Sequence, residues 1–324
     1  MRTVTFTQIL RETLAAEMRR DASVILIGED IGVYGGSFGV TRGLLDEFGP
    51  ERVRDTPISE QAITGVAIGA AAAGLRPVLE IMFMDFITLA VDQLVNMAAK
   101  LYPIYGVRCP LVVRTPPGAG RGYGATHSQS LERLFTGVPG IKIVAPSDAT
   151  DAAGLLQTAI RDDNPVLFLE HKLLYPQRFE MEDGLPPPIP FGTSRFVREG
   201  TDVTLVAWSY MTQVARQAAA ALAEEGIEAE VVDLRTLNPL DLGIAVESAQ
   251  NTGRVILVEE GPQTGGFAAE IAARLAERAH GALTCPVRRL AAPDWPVPSA
   301  KNLEAVWMPS ADAIAALARS MVDA

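Results

Sequence analysis

Residues 52–80 read RVRDTPISEQAITGVAIGAAAAGLRPVLE, and this stretch joins a helix-like pattern to a strand-like one. Its middle, 61–75, is rich in Ala and Gly and carries no charge, which predicts a helix buried on every face. Ser59 is the predicted N-cap, which puts Glu60 in the first helical turn. The apolar run RPVLEIMF (76–83) is typical of a strand covered on both faces. The stretch therefore predicts a helix that leads into a buried parallel strand.

Strand-like runs alternate with helical patterns along most of the chain. The other runs in the first half are SVILIG (23–28), PLVVR (110–114), IKIVAP (141–146) and PVLFLE (165–170). Helical spacing, with intervals of three or four residues, relates Phe86, Ala90, Gln93 and Met97. Asp148 is the predicted N-cap of the helix DATDAAGLLQTAIRD. This alternation predicts βαβ units and a mostly parallel sheet.

The pattern changes between residues 175 and 200, where five prolines stand in a stretch without periodicity. Such a stretch is typical of a linker between folded units. Strand and helix patterns resume after it and continue to the end of the chain. We therefore predict an α/β protein with a first domain at 1–180, a proline-rich linker at 181–197 and a second domain at 198–324.

Composition excludes several classes of protein. The chain has 28 Lys and Arg against 39 Asp and Glu, a net charge of −11, which argues against a nucleic-acid binder. Neither a membrane-spanning run nor a signal peptide is evident. The two cysteines, Cys109 and Cys285, have no paired spacing, so we expect a reducing cytoplasm.

Candidate functional residues lie near a glycine-rich segment and at a helix start. GAGRGYG (118–124) suits a mobile loop beside a site or a dinucleotide-binding turn. His127 follows this segment, and from the residues alone it is either a ligand-facing or a packing histidine. Glu60 is explained equally by the helix dipole and by a partly desolvated, functional carboxyl group with a raised pKa. Both interpretations stay open at this point.

Seven segments in order along nearly the whole chain resemble one family. They are GEDIGVYGGSFGVTRGL (28–44), RVRDTPISEQAITGVAIGAAAAGLRPVLE (52–80), DQLVNMAAK (92–100), HSQSLE (127–132), DDNPVLFLEHKLLY (162–175), EVVDLRTLNPLD (230–241) and VEEG (258–261). Together they resemble the β subunit of the thiamine-diphosphate-dependent 2-oxo acid dehydrogenase component. That family includes pyruvate, branched-chain 2-oxo acid and acetoin dehydrogenases.

The resemblance implies a transketolase-like pyrimidine-binding domain followed by a transketolase C-terminal-type domain. Enzymes of this kind hold the diphosphate and Mg²⁺ with a Gly-Asp-Gly motif, which does not occur in this sequence. The resemblance therefore implies that an α subunit supplies that half of the site in an α2β2 heterotetramer. It also implies a lipoyl acyltransferase core as a further partner.

The resemblance also assigns roles to individual residues. Glu60 would hydrogen-bond the aminopyrimidine of thiamine diphosphate, and Met82 and Phe86 would pack on its ring. His127 would serve proton transfer or charge stabilisation during acyl transfer to the lipoyl group. A potassium ion is implied at Leu111, Ala159, Ile160, Asp162 and Asn164, although D-D-N-P is also a good turn sequence.

We expect an enzyme subunit that is active only with its α subunit, with pyruvate as the leading substrate and acetoin or branched-chain 2-oxo acids as alternatives. Departures from the family pattern at 105–107, 115–124 and Ser299 bear on the substrate. More distant alternatives are half of a split transketolase, against which HSQS and EHKLLY argue, and a non-catalytic scaffold. Retention of both Glu60 and His127 argues against the scaffold.

Overall fold

The computed structural model describes residues 1–323, which divide into two compact units. Unit 1 comprises Met1–Pro117 and Leu134–Phe191, and unit 2 comprises Gly118–Arg133 and residues 192–323. The segment with the glycine loop and His127 thus belongs to unit 2. The domain bounds 1–180, 181–197 and 198–324 stay a prediction beside this division.

Unit 1 is built on a parallel sheet. Its strands are β1 (Arg2–Thr5), β2 (Val24–Gly28), β3 (Val53–Asp55), β4 (Arg76–Glu80), β5 (Val112–Thr115), β6 (Lys142–Val144), β7 (Val166–Leu169) and β8 (Arg178–Met181). Its helices are α1 (Phe6–Arg20), α2 (Leu44–Phe48), α3 (Glu60–Ala72), α4 (Leu101–Tyr105), α5 (Arg133–Thr136), whose first residue belongs to unit 2, and α6 (Ala149–Arg161). Six strands run parallel in the order β6-β7-β5-β4-β2-β3, while β1 and β8 form a separate antiparallel pair. The predicted parallel sheet is confirmed, and its strand ends meet at one edge.

Helix α3 begins at Glu60 as predicted, but it is not buried on every face. Ile63, Ala67 and Ala71 are buried, whereas Val66 on the opposite side is 63% exposed. The prediction was wrong because the absence of charge shows only that a helix can be buried, not that this chain covers it on every side. In unit 1, apolar residues cover one side of α3. The other side, which we call the bare face of α3, is apolar and open.

The segment predicted as a regular helix from Asp85 onward is wound irregularly. It forms a 3₁₀-helix at Met84–Ala90, a π-helix at Gln93–Met97 and a 3₁₀-helix at Ala98–Lys100. The wide π turn lies where the segment packs on α3, since a Cβ on Gly65 would lie 3.3 Å from the Gln93 Oε1 atom. Close helix packing therefore displaces the regular register here.

Unit 2 is a second α/β unit with a sheet of its own. Its strands are β9 (Arg195–Arg198), β10 (Val203–Ala207), β11 (Ala229–Asp233), β12 (Thr236–Asn238), β13 (Val255–Pro262) and β14 (Arg288–Ala292). Its helices are α7 (Tyr210–Glu224), α8 (Gly243–Thr252), α9 (Phe267–Ala279), α10 (Lys301–Trp307) and α11 (Ala311–Val322). Five strands form a sheet in the order β14-β13-β10-β11-β9, parallel except for β9. Its core is formed by apolar residues of β10, β11, β13, α7 and α11.

Two short strands lie within residues 175–200, the stretch without periodicity, and each overlaps an end of the predicted linker at 181–197. Strand β8 pairs with β1, and β9 forms the antiparallel edge of the unit 2 sheet. Both are edge strands of four residues, too short for a sequence period to be visible. Among residues 1–323, no helix combines the length and apolarity needed to cross a bilayer.

Candidate active site

A pair of carboxyl groups lies at the carboxyl edge of the unit 1 sheet. Glu29 directly follows β2, and Glu60 opens α3 after β3; each is 6% exposed. The backbone N–H of Ser59 donates to the Glu29 carboxylate at 3.1 Å. Burial raises the pKa of Glu29, and the charge of Glu60 raises it further, against the effect of the Ser59 bond. The start of α3 favours a negative charge at the position of Glu60, and this charge lies close enough to act on Glu29.

The local sequence explains why Glu60 stands there. Ser59 occupies the N-cap position as predicted, but its side chain makes no capping bond and donates instead to the Pro57 carbonyl at 3.0 Å. The Thr64 hydroxyl donates to the Glu60 carbonyl at 2.6 Å within the helix. Among residues 1–323, no hydrogen bond ties the Glu60 carboxylate to the protein, so it is available to a ligand.

Met82 and Phe86 follow β4 at the same edge of the sheet and are half-buried. The Ser37 hydroxyl contacts the Met82 sulfur at 3.7 Å. Phe86 meets Phe83 edge to face, with ring centroids 5.8 Å apart. Such partly open apolar groups can pack on a flat ring. The role that the resemblance implies for these two residues is therefore compatible with their surroundings.

A buried ionic network lies behind this edge. Arg114 in β5 donates from Nη1 to Glu80 at 2.7 Å, and from Nε and Nη2 to Glu170 at 2.7 and 2.6 Å. The Tyr175 hydroxyl donates to Glu170 at 2.8 Å. Burial raises the pKa of Glu80, and it also raises the pKa of Tyr175 well above its ordinary value. Burial alone would lower the pKa of Arg114, but the charges of Glu170 and Glu80 outweigh it and raise it.

His127 lies in the unit 2 segment and is half-buried. Its backbone N–H donates to the Gly124 carbonyl at 3.2 Å, and its Nδ1 lies 3.0 Å from the Thr126 hydroxyl oxygen. This hydrogen bond orients the imidazole ring. Whether Nδ1 donates or accepts in it depends on the tautomer of the ring. Because Glu60 belongs to unit 1 and His127 to unit 2, the two candidate residues are held by different compact units.

Two buried carboxylates fix the glycine loop that precedes His127. Glu304 accepts from the N–H groups of Gly120 and Gly122 at 2.8 and 2.7 Å, and Glu260 accepts from Ala119 at 2.6 Å. Gly120 and Gly122 have positive φ angles of 96° and 74°, which L side chains rarely adopt. The glycines are thus needed for a loop whose backbone donors point at carboxylates. The dinucleotide-turn alternative is wrong, because no helix follows this loop directly.

A cavity of about 450 Å³ lies in unit 2 beside this loop. Its lining includes Ala125, Gln129, Arg133, Glu260, Trp295 and Trp307. The Trp307 indole N–H donates to the Trp295 carbonyl at 2.9 Å, and the Arg133 guanidinium donates to the Thr264 carbonyl at 3.2 Å. The cavity thus combines indole rings with a few polar groups, as small-molecule sites do.

The five residues implied for potassium lie in unit 1; oxygens of four of them already accept hydrogen bonds, and Asn164 donates to one of those four. The carbonyls of Leu111, Ala159 and Ile160 accept from Val166 N at 2.8 Å, Asp162 N at 3.3 Å and Arg76 Nη1 at 3.1 Å. The Asp162 carboxylate pairs with the Lys142 ammonium and accepts from Asn164 N and Nδ2 at 2.8 and 2.9 Å. Carbonyl and carboxylate oxygens suit a hard cation such as potassium. In this structure, N–H donors and an ammonium group of the protein already contact these oxygens.

Sequence reasoning missed Glu29, the Arg114 network and the anchors of the glycine loop. Glu29 could have been found, since a charged residue directly after a buried strand marks the ligand edge of a parallel sheet. The other contacts join residues far apart in sequence, as between Gly120 and Glu304, and no local pattern signals them.

Comparisons with known proteins agree with this architecture. Residues 2–178 match the transketolase pyrimidine binding domain, and residues 192–314 match the transketolase C-terminal domain. The β subunit of acetoin:2,6-dichlorophenolindophenol oxidoreductase from Cupriavidus necator is 46% identical over 322 residues, covering 96% of this chain and 95% of that one.

Two further curated relatives are β subunits of the pyruvate dehydrogenase E1 component. The one from Rickettsia bellii is 44% identical over 309 residues, with 95% of both chains covered. The mitochondrial β-1 subunit from Arabidopsis thaliana is 44% identical over 316 residues, with 96% of this chain and 87% of that one covered.

A solved structure shares the fold at lower identity. The split gene transketolase described as an inactive beta4 tetramer has a TM-score of 0.77 at 24% identity, with 99% of this chain and 98% of that one covered. The fold, the two domain matches and the similarity over nearly the full length agree with one another. The chain belongs to the family of β subunits of thiamine-diphosphate-dependent 2-oxo acid and acetoin dehydrogenases.

Proposed function

We propose that this chain is the β subunit of a thiamine-diphosphate-dependent 2-oxo acid dehydrogenase that acts on pyruvate. The complete enzyme decarboxylates the 2-oxo acid oxidatively and transfers the acyl group to lipoyl-lysine. Family membership supports this function, and the observation that carries the catalytic role is the buried Glu60 carboxylate at the start of α3.

The residues of this chain fit one half of the cofactor. Thiamine diphosphate supplies a thiazolium carbon that becomes nucleophilic when its proton is removed. Glu60 offers a carboxylate to a ring nitrogen of the aminopyrimidine, and the half-buried Met82 and Phe86 offer apolar surface to that ring. The Glu60 carboxylate is buried and makes no capping hydrogen bond, which suits it to hydrogen-bond a ligand and share a proton with it.

An α subunit holds the diphosphate and Mg²⁺ in this proposal, in an α2β2 heterotetramer. The chain has no Gly-Asp-Gly motif for that task. The bare face of α3, with Val66 63% exposed, and the nearby Ile58, 83% exposed, are apolar surface of the kind that subunit interfaces cover. The domain at 1–180 thus contributes both the cofactor contact and surface for assembly.

His127 serves the second stage, in which the acyl group passes to the lipoyl group of the acyltransferase core. Its imidazole can move a proton or stabilise charge near neutral pH, and the loop anchored by Glu304 and Glu260 fixes its position. The cavity beside the loop offers room for a substrate group.

Potassium at Leu111, Ala159, Ile160, Asp162 and Asn164 remains part of the proposal. The ion has to bind beside the Lys142 ammonium or displace it, because Lys142 already pairs with the Asp162 carboxylate. Thermal unfolding in KCl and in choline chloride at equal ionic strength tests this site. A higher melting temperature in KCl that Asp162→Asn abolishes supports it, and equal melting temperatures contradict it.

Acetoin is the second candidate substrate. The observation that favours it is the 46% identity to the acetoin oxidoreductase β subunit, slightly above that to the pyruvate dehydrogenase subunits. Branched-chain 2-oxo acids are a third possibility that the family allows. The chain's own residues do not separate these substrates, because the α subunit lines much of the acyl pocket in this proposal.

Reconstitution tests the proposal. The chain is co-expressed with an α subunit of the same family and assayed with pyruvate, 2-oxoisovalerate and acetoin, with lipoyl domain as acceptor. We expect no turnover by the chain alone and turnover by the mixture, highest with pyruvate. Glu60→Gln is expected to lower turnover by at least about a hundredfold, equivalent to roughly 2.7 kcal/mol of barrier.

Gln61→Ala is the matched control, since Gln61 is the exposed neighbour of Glu60 in the same helical turn. It should keep nearly full activity. Turnover within a few-fold of wild type in Glu60→Gln contradicts the proton-sharing role. Indifference to both Glu60→Gln and His127→Ala indicates a scaffold, and ketol transfer between sugar phosphates without lipoyl domain indicates a transketolase half.

A further inference from the structure

Unit 1 contains a cavity lined by arginines, and its lining includes none of the residues assigned to the cofactor. It has a volume of about 440 Å³ and lies between α1 and the turn that leads into α2. The charged residues of its lining are Arg2, Arg11, Arg19, Arg42, Glu12 and Glu47. This concentration of arginine stands out in a chain whose net charge is −11.

Two of the four arginines are neutralised within the cavity. Arg2 donates to Glu12 at 2.6 Å, and Arg19 donates to Glu47 through Nε and Nη2 at 2.5 and 2.7 Å. Within residues 1–323, neither Arg11 nor Arg42 has a carboxylate at ion-pair distance. The charged lining thus carries two positive charges that no side chain balances.

The two unbalanced guanidinium groups meet at Gly39. Arg11 Nη2 donates to the Gly39 carbonyl at 2.7 Å, and Arg11 Nε is buried without a hydrogen-bond partner. A Cβ on Gly39 would lie 3.7 Å from Arg42 Nη2, so the Arg42 guanidinium borders the same residue. Burial lowers the pKa of Arg11, and the positive charge of Arg42 lowers it further. The two groups therefore repel one another in the absence of an anion.

We propose that Arg11 and Arg42 form a binding site for a phosphate group, separate from the cofactor site. Guanidinium groups match the geometry of phosphate oxygens through paired N–H donors, and two of them can bind one phosphate together. Arg11 lines the cavity with only its Nη2 bonded to the protein, so its guanidinium keeps a donor for a ligand, and exposed Arg42 supplies a planar fork. The phosphate comes from inorganic phosphate or from a small phosphate ester, and the cavity has room beside the arginines for the organic part of an ester.

The test is thermal unfolding and calorimetric titration of the full chain without α subunit, so that the cofactor's diphosphate anchor plays no part. The probes are sodium phosphate and glycerol 2-phosphate, each at ionic strength held constant with NaCl. We expect the melting temperature to rise with the logarithm of phosphate concentration, because a ligand that binds only the folded state stabilises it. A stronger response to glycerol 2-phosphate identifies an ester as the ligand, and an equal response identifies the phosphate group alone.

Arg42→Gln is the decisive variant, because Arg42 is exposed and its loss removes no ion pair of the described residues. We expect it to weaken phosphate binding at least tenfold, and Arg11→Gln to do the same. Arg19→Gln is the matched control: it removes an arginine of the same cavity that is already paired with Glu47. The proposal is overturned if wild type binds no phosphate, if Arg42→Gln binds it like wild type, or if Arg19→Gln weakens binding as much as Arg42→Gln. The result is independent of the enzyme activity.

Discussion

Arg114 binds Glu170 through two parallel hydrogen bonds, Nε to Oε1 at 2.7 Å and Nη2 to Oε2 at 2.6 Å, with both side chains no more than 2% exposed. Such a buried pair adds little stability relative to an apolar replacement of both residues, yet removal of one partner leaves a bare charge. Glu80 increases the cost of removing Arg114, because it is a second carboxylate that pairs with the same guanidinium group.

Arg114→Met is therefore expected to destabilise the protein strongly. It leaves Glu80 and Glu170 buried without their cation, which costs about 3–5 kcal/mol in the free energy of unfolding. Urea denaturation of the variant and the wild type measures this difference. Arg108→Met is the control, since Arg108 is 70% exposed and pairs with Asp163 at the surface, and it should cost less than about 1 kcal/mol. Equal losses in the two variants would show that burial of the network does not matter.

Glu259 makes the stability of unit 2 depend on pH. Burial and the charge of Glu132 raise the pKa of Glu259 to about 7 from an ordinary value of 4.5. Between these values the folded state holds a proton that the unfolded carboxyl group has released. Stability is therefore lost as pH rises through this window, by at most about 1.4 kcal/mol per pH unit.

Glu259→Gln should remove this loss. Urea denaturation at pH 5, 6 and 7.5 should show a smaller decline for the variant than for the wild type. Glu224→Gln, which changes an exposed glutamate of α7, should leave the wild-type pH dependence intact. A wild-type decline that persists in Glu259→Gln assigns the pH dependence to another group.

The two cysteines should differ in reactivity. Burial raises the pKa of the Cys109 thiol to about 11, and Cys109 is 2% exposed, while Cys285 is half-buried. Because the thiolate is the nucleophile, a thiol-specific reagent at pH 8 should modify one cysteine per native chain and two in denaturant. Mass spectrometry of a Cys285→Ser variant gives the assignment: it should show no rapid modification of the native chain.

Glu304 should control the order of the glycine loop. Its carboxylate accepts from Gly120 and Gly122, so Glu304→Ala leaves two loop donors without their acceptor. We expect faster tryptic cleavage after Arg121 in the variant, measured by peptide mapping of native protein. Asn302→Ala changes an exposed residue of the same helix and should leave the cleavage rate unchanged. If the cleavage rates are equal, Glu304 does not hold the loop.

Local patterns were sufficient to predict much of the fold. The five strand runs of the first half each became a parallel strand, and Asp148 caps α6 by accepting from Asp151 N at 2.9 Å. The position of Glu60 at a helix start also follows from neighbouring residues alone. In each case the evidence lies within a few positions of the feature that it predicts.

The rest depends on contacts through space. Nothing near Arg114 in the sequence identifies Glu170 as its partner, and nothing near Gly120 identifies Glu304. The prediction that α3 is buried on every face failed for a related reason. An apolar residue such as Val66 indicates that burial is favourable, but it does not identify the chain that covers it. The roles of Glu60 and His127 stay predictions that the reconstitution experiment tests, and the roles of Met82 and Phe86 stay predictions.

The bare face of α3 also bears on how the isolated polypeptide behaves in solution. Copies of the chain without a partner expose the hydrophobic stripe around Val66, and such stripes favour aggregation of like molecules. Aggregation at high protein concentration is therefore the expected consequence of a single uncovered helix face.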